Sequence, residues 1–197
     1  MSSHFFALFS RMKYIDRWSL MRNTDAESLS QHSLDVAAIA HALSVIGNRR
    51  LGKSYDTGKI ALTGMYHDMP EIITGDMPTP VKYHNKEIRE AFGSIERAAQ
   101  KSLLKTLPED LRDEYEDFLI PDEKSAEYRL VKAADKISAL LKCLHEERAG
   151  NTEFIKAKEA TLESLHNMNC EEAEIFLKEF LESYNSVLDT VLETEEE

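Results

Sequence analysis

Apolar residues recur at three- and four-residue intervals along most of this chain, the spacing of one helix face. Phe5, Leu8, Phe9 and Met12 predict a first helix from His4 to about Tyr14. The period then lapses, and residues 17–25 read as a loop. Ser28 and Gln31 have the S-x-x-Q spacing of a capping box. Val36, Ile39, Ala40 and Leu43 form the stripe of the helix that follows, expected to end at Gly47-Asn48. His32, four residues before Val36, points to the same buried face. Asp56 caps a third helix running through Ile60, Ala61 and Met65 to His67-Asp68. Pro70, which lacks a backbone donor, ends or kinks it. The Gly and Pro residues of 74–80 predict a loop. Ile88, Phe92, Ile95, Ala99 and Leu103 predict a long amphipathic helix, and Pro108 with Glu109 and Asp110 opens another. Ser125 caps a helix carrying Val131, Ala134, Ile137, Leu141 and Leu144, closed by Gly150-Asn151. Two more helices follow at roughly 153–166 and 171–190. The expected fold is all-α, a single-domain bundle of about eight helices over residues 1–197, with an acidic tail at 191–197. No internal repeat or low-complexity linker divides it.

Composition supports helices, since only seven Gly and five Pro interrupt 197 residues. The net charge of −12 argues against a nucleic-acid polymer as partner, which would need a basic face. The charge is uneven. Arg11, Lys13, Arg17 and Arg22 face only Asp16 within the first 22 residues, while E-T-E-E-E at 193–197 reads as a solvated, frayed end. Cys143 and Cys170 read as reduced thiols. There is neither a signal-type leader nor an apolar run of membrane-spanning length, so a cytoplasmic protein away from membranes is expected.

The chemistry concentrates in His32, His67, Asp68 and Asp135, which fall on predicted helix faces turned to the core. An unpaired buried carboxylate costs several kcal/mol, and one shared cation removes that cost for all four groups. Bundle metal sites take ligands from facing helices, so separation in sequence is no obstacle. Two imidazoles and two carboxylates suit a divalent ion of intermediate softness such as Mn²⁺, Co²⁺ or Fe²⁺, with Co²⁺ or Mn²⁺ first, and leave positions open for water and substrate. Glu71 lies three residues after Asp68 and faces the same side if the helical turn continues; Pro70 is the feature that could re-aim it. Arg17 suits a phosphate gripped in two places, and the indole of Trp18 suits a sugar face. The bland alternative is a surface Arg beside a Trp that anchors a loop. Lys82 reads as solvated, with help toward a phosphate as the alternative, and His4, His41, His84, His145 and His166 as structural or surface residues.

S-L-S-Q-H-S at 28–33, M-Y-H-D-M-P-E at 65–71 and V-K-A-A-D-K at 131–136 resemble the H…HD…D signature of HD-domain phosphohydrolases. H-F-F at 4–6, R-W-S-L-M-R-N at 17–23, E-I-I-T-G-D-M-P-T-P-V-K-Y at 71–83 and L-L-K-C-L at 140–144 resemble the bacterial HD-domain 5′-deoxynucleotidases. The resemblance implies a metal held by His32, His67, Asp68 and Asp135, and catalysis by Glu71 and Arg17. It implies nucleotide contacts from Arg17, Trp18, Asp76, Met77, Pro78 and Thr79. The substrate implied is a 2′-deoxyribonucleoside 5′-monophosphate, released as deoxyribonucleoside and phosphate. With no P-loop, nucleophilic Cys or phospho-aspartate motif in view, water is the expected attacker. Phe176, Phe180 and Tyr184 suggest a homodimer face, or else pack on the core. The rivals are another HD-type phosphodiesterase or pyrophosphohydrolase, and a non-catalytic nucleotide-binding module.

Overall fold

A computed structural model describes residues 2–82 and 84–187. Helix α1 (Phe5–Phe9) tightens into a 3₁₀ turn at Ser10–Tyr14, so the first predicted helix exists in two halves. The long helix α2 (Leu29–Arg50) packs against α3 (Thr57–Tyr66) and against α8 (Ala126–Arg148). Between α3 and α8 come two one-turn helices, α4 (Glu71–Thr74) and α5 (Thr79–Lys82), then α6 (Lys86–Leu104) and α7 (Arg112–Leu119). Helices α9 (Ile155–Asn167) and α10 (Glu171–Phe180) follow α8, and a 3₁₀ turn at Glu182–Asn185 closes the described chain. Among the described residues there is no strand, only an isolated bridge between Asp16 and Ser28.

The predicted caps are present. The Ser28 side chain accepts from the Gln31 amide while the Gln31 side chain accepts from the Ser28 amide. Asp56 and Ser125 likewise accept from Lys59 and Tyr128. Two apolar clusters carry the bundle. Val36, Leu43, Ile60, Leu130, Ile137 and Phe176 fill the space between α2, α3, α8 and α10. Phe5, Met12, Leu29, Tyr66, Leu103 and Leu119 fill the space under the N-terminal segment.

Several expectations need correction. Helix α2 does not stop at Gly47-Asn48 but runs to Arg50. A Cβ on Gly47 would stand 2.7 Å from the Tyr55 ring, so this glycine serves close packing rather than termination. Helix α3 ends at Tyr66, before Pro70, and Pro70 instead caps α4. The 74–80 loop turns at Gly75 (φ +74°) but already enters α5 at Thr79, where Pro80 sits in a first turn that needs no donor from it. Phe92, Ala99 and Leu103 of α6 are buried, whereas Ile88 and Ile95 of the same stripe face outward. Phe176 belongs to the core, while Phe180 and Tyr184 are exposed. The last predicted helix stops at Phe180; its positions 188–190 and the acidic tail 191–197 lie outside the described residues, as does Tyr83. Among the described residues no helix is long and apolar enough to cross a membrane.

Gly64 sets how closely α3 approaches α2. A Cβ there would meet the Ala37 Cα at 3.1 Å and the Val36 carbonyl oxygen at 3.2 Å, both rigid backbone. Gly64→Ala should therefore destabilise the chain by about 1–3 kcal/mol, since the helices must separate. Chemical denaturation monitored by circular dichroism gives the value; a change near zero would show that the crossing relaxes freely.

Candidate metal centre

Three helical segments deliver the four candidate ligands. His32 stands in the first turns of α2, His67 and Asp68 in the turn that ends α3, and Asp135 near the middle of α8. One donor atom from each lies within 4.8 Å of the others. His67 Nε2 is 3.0 Å from Asp68 Oδ2, and His32 Nε2 is 3.4 Å from Asp68 Oδ2 and 3.3 Å from Asp135 Oδ1. These are close approaches rather than hydrogen bonds, because neither buried Nε2 finds an aligned partner. Donors placed about 2.0–2.2 Å from one cation sit about 3 Å apart at adjacent corners, which matches.

The far side of each imidazole is fixed. His32 Nδ1 pairs with Ser138 Oγ at 3.0 Å, and His67 Nδ1 lies 2.7 Å from the Gly64 carbonyl, to which it can only donate. That bond places the His67 proton on Nδ1 and leaves Nε2 with its lone pair toward the cluster. The site therefore fits a divalent cation: two orphaned ring nitrogens and two carboxylates converge on one point. Burial works against the charges of Asp68 and Asp135, but His67 and His32 around the first, and Lys132 and His32 around the second, hold both carboxyls well below the usual range. Burial and Arg17 press the His32 pKa down, yet the same two carboxylates raise it overall.

Arg17 approaches from the loop before α2. Its Nη1 donates to Glu27 Oε2 at 2.9 Å, and the Trp18 indole N–H donates to the same oxygen at 3.0 Å. Burial opposes the guanidinium charge, but Glu27, Asp135, Asp68 and Asp76 together raise its pKa. Trp18 adopts a left-handed backbone (φ +59°), and its ring packs 5.4 Å from that of Phe154. Burial and Asp68 push the pKa of the Asp76 carboxyl up, while Arg17 and the Trp18 backbone pull it down. Arg17, Trp18 and Asp76 are thus brought together.

Glu71 is buried despite Pro70, and its Oε2 has no hydrogen-bond partner. Burial first, then Asp68 and Asp76, push its pKa up to about 10. A cation between the ligands would add a positive charge that pulls it back down. Glu71, His67, Asp68, Lys82, Arg129 and Lys132 line a cavity of about 930 Å³. Met77 and Pro78 are half-buried and Thr79 is exposed, and none of the three is part of the described lining. Lys82 is not merely solvated: it pairs with Glu96 at 2.7 Å on the cavity wall. His4, His41, His84, His145 and His166 are all exposed.

Sequence reasoning missed Lys132, Ser138 and Glu27. Lys132 donates to Asp135 Oδ2 at 2.8 Å, leaving Oδ1 on the His32 side. The three-residue steps from Lys132 to Asp135 to Ser138 mark one face of α8 and were the available signal.

The fold is that of the HD-domain phosphohydrolases. A crystal structure of an HD-domain phosphohydrolase from Listeria innocua superposes with a TM-score of 0.80 at 24% identity, covering 92% of this chain and 88% of that one. A cyanophage S-2L HD phosphohydrolase, DatZ, solved with dA and one catalytic Zn²⁺, superposes at 0.62 with 17% identity, covering 90% and 95%. Residues 4–184 match the model of the YfbR-like 5′-deoxynucleotidases, and the chain belongs to that family. A 5′-deoxynucleotidase of Vibrio cholerae is 47% identical over 194 residues, 96% of this chain and 98% of that protein. The Escherichia coli 5′-deoxynucleotidase YfbR is 47% identical over 193 residues, 96% of each.

Ser138→Ala should weaken divalent-cation binding by about 10–100-fold, the usual scale for removing the group that orients a ligand histidine. Titration of the purified chain with Mn²⁺, followed calorimetrically, measures it. Asp68→Ala should abolish stoichiometric binding in elemental analysis, and a full equivalent retained at this site would remove Asp68 from the ligand set.

Proposed function

We propose that this chain is a metal-dependent phosphomonoesterase that converts 2′-deoxyribonucleoside 5′-monophosphates to deoxyribonucleoside and phosphate. Membership of the 5′-deoxynucleotidase family supports the activity. The observation that carries the chemistry is the convergence of the two orphaned Nε2 atoms with Asp68 and Asp135, flanked by Glu71 and Arg17. His32, His67, Asp68 and Asp135 would hold one divalent cation. When bound, that cation supplies Lewis acidity toward a phosphoryl oxygen and toward water.

The chain's own residues do the rest. Arg17, kept charged and aimed by Glu27, neutralises charge growing on the phosphoryl oxygens. Glu71 Oε2, buried and unpartnered beside Asp68, is the group that takes a proton from the attacking water or returns one to the 5′ oxygen. Trp18 walls the sugar and Asp76 accepts from the 3′ hydroxyl, with Met77, Pro78 and Thr79 completing the nucleoside contacts. An apolar wall alone rejects an added hydroxyl only about 10²-fold, so selectivity against ribonucleotides rests on Trp18 and Asp76 together.

The proposal includes Co²⁺ or Mn²⁺ as the ion, a cytoplasmic setting, one domain over residues 1–197, and a homodimer. Phe180 and Tyr184, 42% and 46% exposed on the C-terminal face, support the dimer.

Phosphate release from deoxy- and ribonucleoside 5′- and 3′-monophosphates, with and without Mn²⁺ or Co²⁺, tests the assignment. The 5′-deoxy substrates should be preferred; a deoxy/ribo kcat/KM ratio near one on a shared base would sink it. Glu71→Gln should lower kcat by about 10²-fold or more, the scale of a lost acid–base group, with the cation still bound. Near-normal turnover would remove Glu71 from the chemistry. Trp18→Ala should raise relative activity on ribonucleotides, and an unchanged high ratio would cancel the role given to the indole.

A further inference from the structure

Asp135, Ser138, Lys142 and Glu146 succeed one another along α8 at steps of three, four and four residues, so they lie on one face. Eleven residues bring Glu146 back to within about 20° of Asp135, about 16 Å further along the axis. Asp135 belongs to the metal ligands and Ser138 holds His32. The last two residues of this polar stripe do something else.

Glu146 is fully buried, yet its carboxylate is saturated. Oε2 accepts from the Thr24 amide at 2.9 Å, the Thr24 hydroxyl at 2.7 Å and Asn151 Nδ2 at 2.8 Å. Oε1 accepts from the Asp25 amide at 3.4 Å and from Lys142 Nζ, which also donates to the Asp25 carbonyl. Asn151 Nδ2 reaches the Arg22 carbonyl at 2.7 Å. Burial alone would raise this carboxyl's pKa, but the bonds from Lys142, Asn151 and Thr24 hold it well below the ordinary range.

Everything gripped here belongs to residues 22–25, the tip of the loop that carries Arg17 and Trp18. The grip is passed back. Asn23 Nδ2 donates to the Trp18 carbonyl at 3.2 Å, and Met21 N–H to the same oxygen at 2.8 Å. At its base the loop is clasped to the start of α2, with Arg17 N–H on the Glu27 carbonyl and Leu29 N–H on the Ile15 carbonyl. Lys142 Nζ lies 5.6 Å over the Phe154 ring, the ring that supports Trp18.

We propose that Glu146 is a positioning residue which, with Lys142, registers the Arg17–Trp18 loop against the metal ligands on the same helix, and so sets substrate binding without touching substrate. This rests on Arg17 and Trp18 being the nucleotide contacts. It assigns Glu146 to substrate affinity rather than to metal affinity, which a role in general stability would not separate.

Trp18 is the only tryptophan in the chain, so its fluorescence reports the loop directly. Glu146→Gln keeps the shape but leaves one acceptor oxygen where the carboxylate had two. The variant should move Trp18 emission to longer wavelength and increase its quenching by acrylamide. KM for a deoxyribonucleoside 5′-monophosphate should rise ~10-fold or more, with a smaller loss in kcat, as expected when a binding group is misplaced. Calorimetric Mn²⁺ affinity should stay within about twofold of wild type, because no metal ligand or its orienting partner is touched. Glu146→Asp should fall between the two. If Glu146→Gln fails to fold, Thr24→Ala removes one of the five donors from the loop side, and the same shifts in smaller measure are expected. Unmoved emission and KM in a folded variant would overturn the proposal, as would Mn²⁺ affinity falling in step with KM. The emission and Mn²⁺ measurements need no substrate. A shifted emission with intact Mn²⁺ affinity therefore upholds the loop register even if the wild-type chain spares every deoxynucleotide offered, a result that would count against the phosphatase reading instead.

Discussion

Two imidazoles and two carboxylates converge on one point, where any uncompensated charge is costly, and the bundle is arranged around that constraint. An ion withdrawn from water costs several kcal/mol when left alone. Here the cost is distributed: Asp135 leans on Lys132, His32 on Ser138 and His67 on the Gly64 carbonyl. The two bonds to ring Nδ1 atoms are made by elements that also pack the core. Gly64 is at once the point where α3 touches α2 and the acceptor that aims His67. Ligand geometry and core packing are therefore one problem in this chain, solved by the same few residues.

Helix α8 links this centre to the loop that carries Arg17 and Trp18. Its apolar side, Leu130, Val131, Ala134, Ile137 and Leu140, lies in the main core. Its polar stripe meets, in succession, the metal ligands, the back of His32 and the loop bearing Arg17. A straight helix is stiff on this scale, so spacing along it translates into spacing between the His-Asp cluster and the loop bearing Arg17.

Much of this was legible in the sequence for particular reasons. Capping residues announced α2, α3 and α8, because a side chain that satisfies a helix end leaves a local pattern. The clustering of His32, His67, Asp68 and Asp135 was legible because their residue types and order are unusual. What stayed hidden depended on which surfaces meet. Ser138 and Glu146 are unremarkable helix residues until their partners from other elements, His32 and Thr24, are known. Gly47 was misread because a glycine marks either a helix end or a close approach, and only the position of Tyr55 decides between them. The α6 period identified a shared face correctly but not its coverage, since Ile88 and Ile95 lie beyond the reach of the neighbouring helices.

Trp18 sits in a left-handed backbone conformation that a bulky L-residue adopts only against about 1–3 kcal/mol of strain. A short peptide of the same sequence would not hold it. The conformation persists because Glu27 grips the indole and Phe154 backs the ring. Those two partners come from the approach to α2 and from the segment after α8. The arginine beside Trp18 can take its working orientation only after those distant parts have docked. The placement of Arg17 and Trp18 is thereby tied to the completion of folding: a nascent or partly opened chain carries His32, His67, Asp68 and Asp135 but has not yet set the guanidinium and the indole in place.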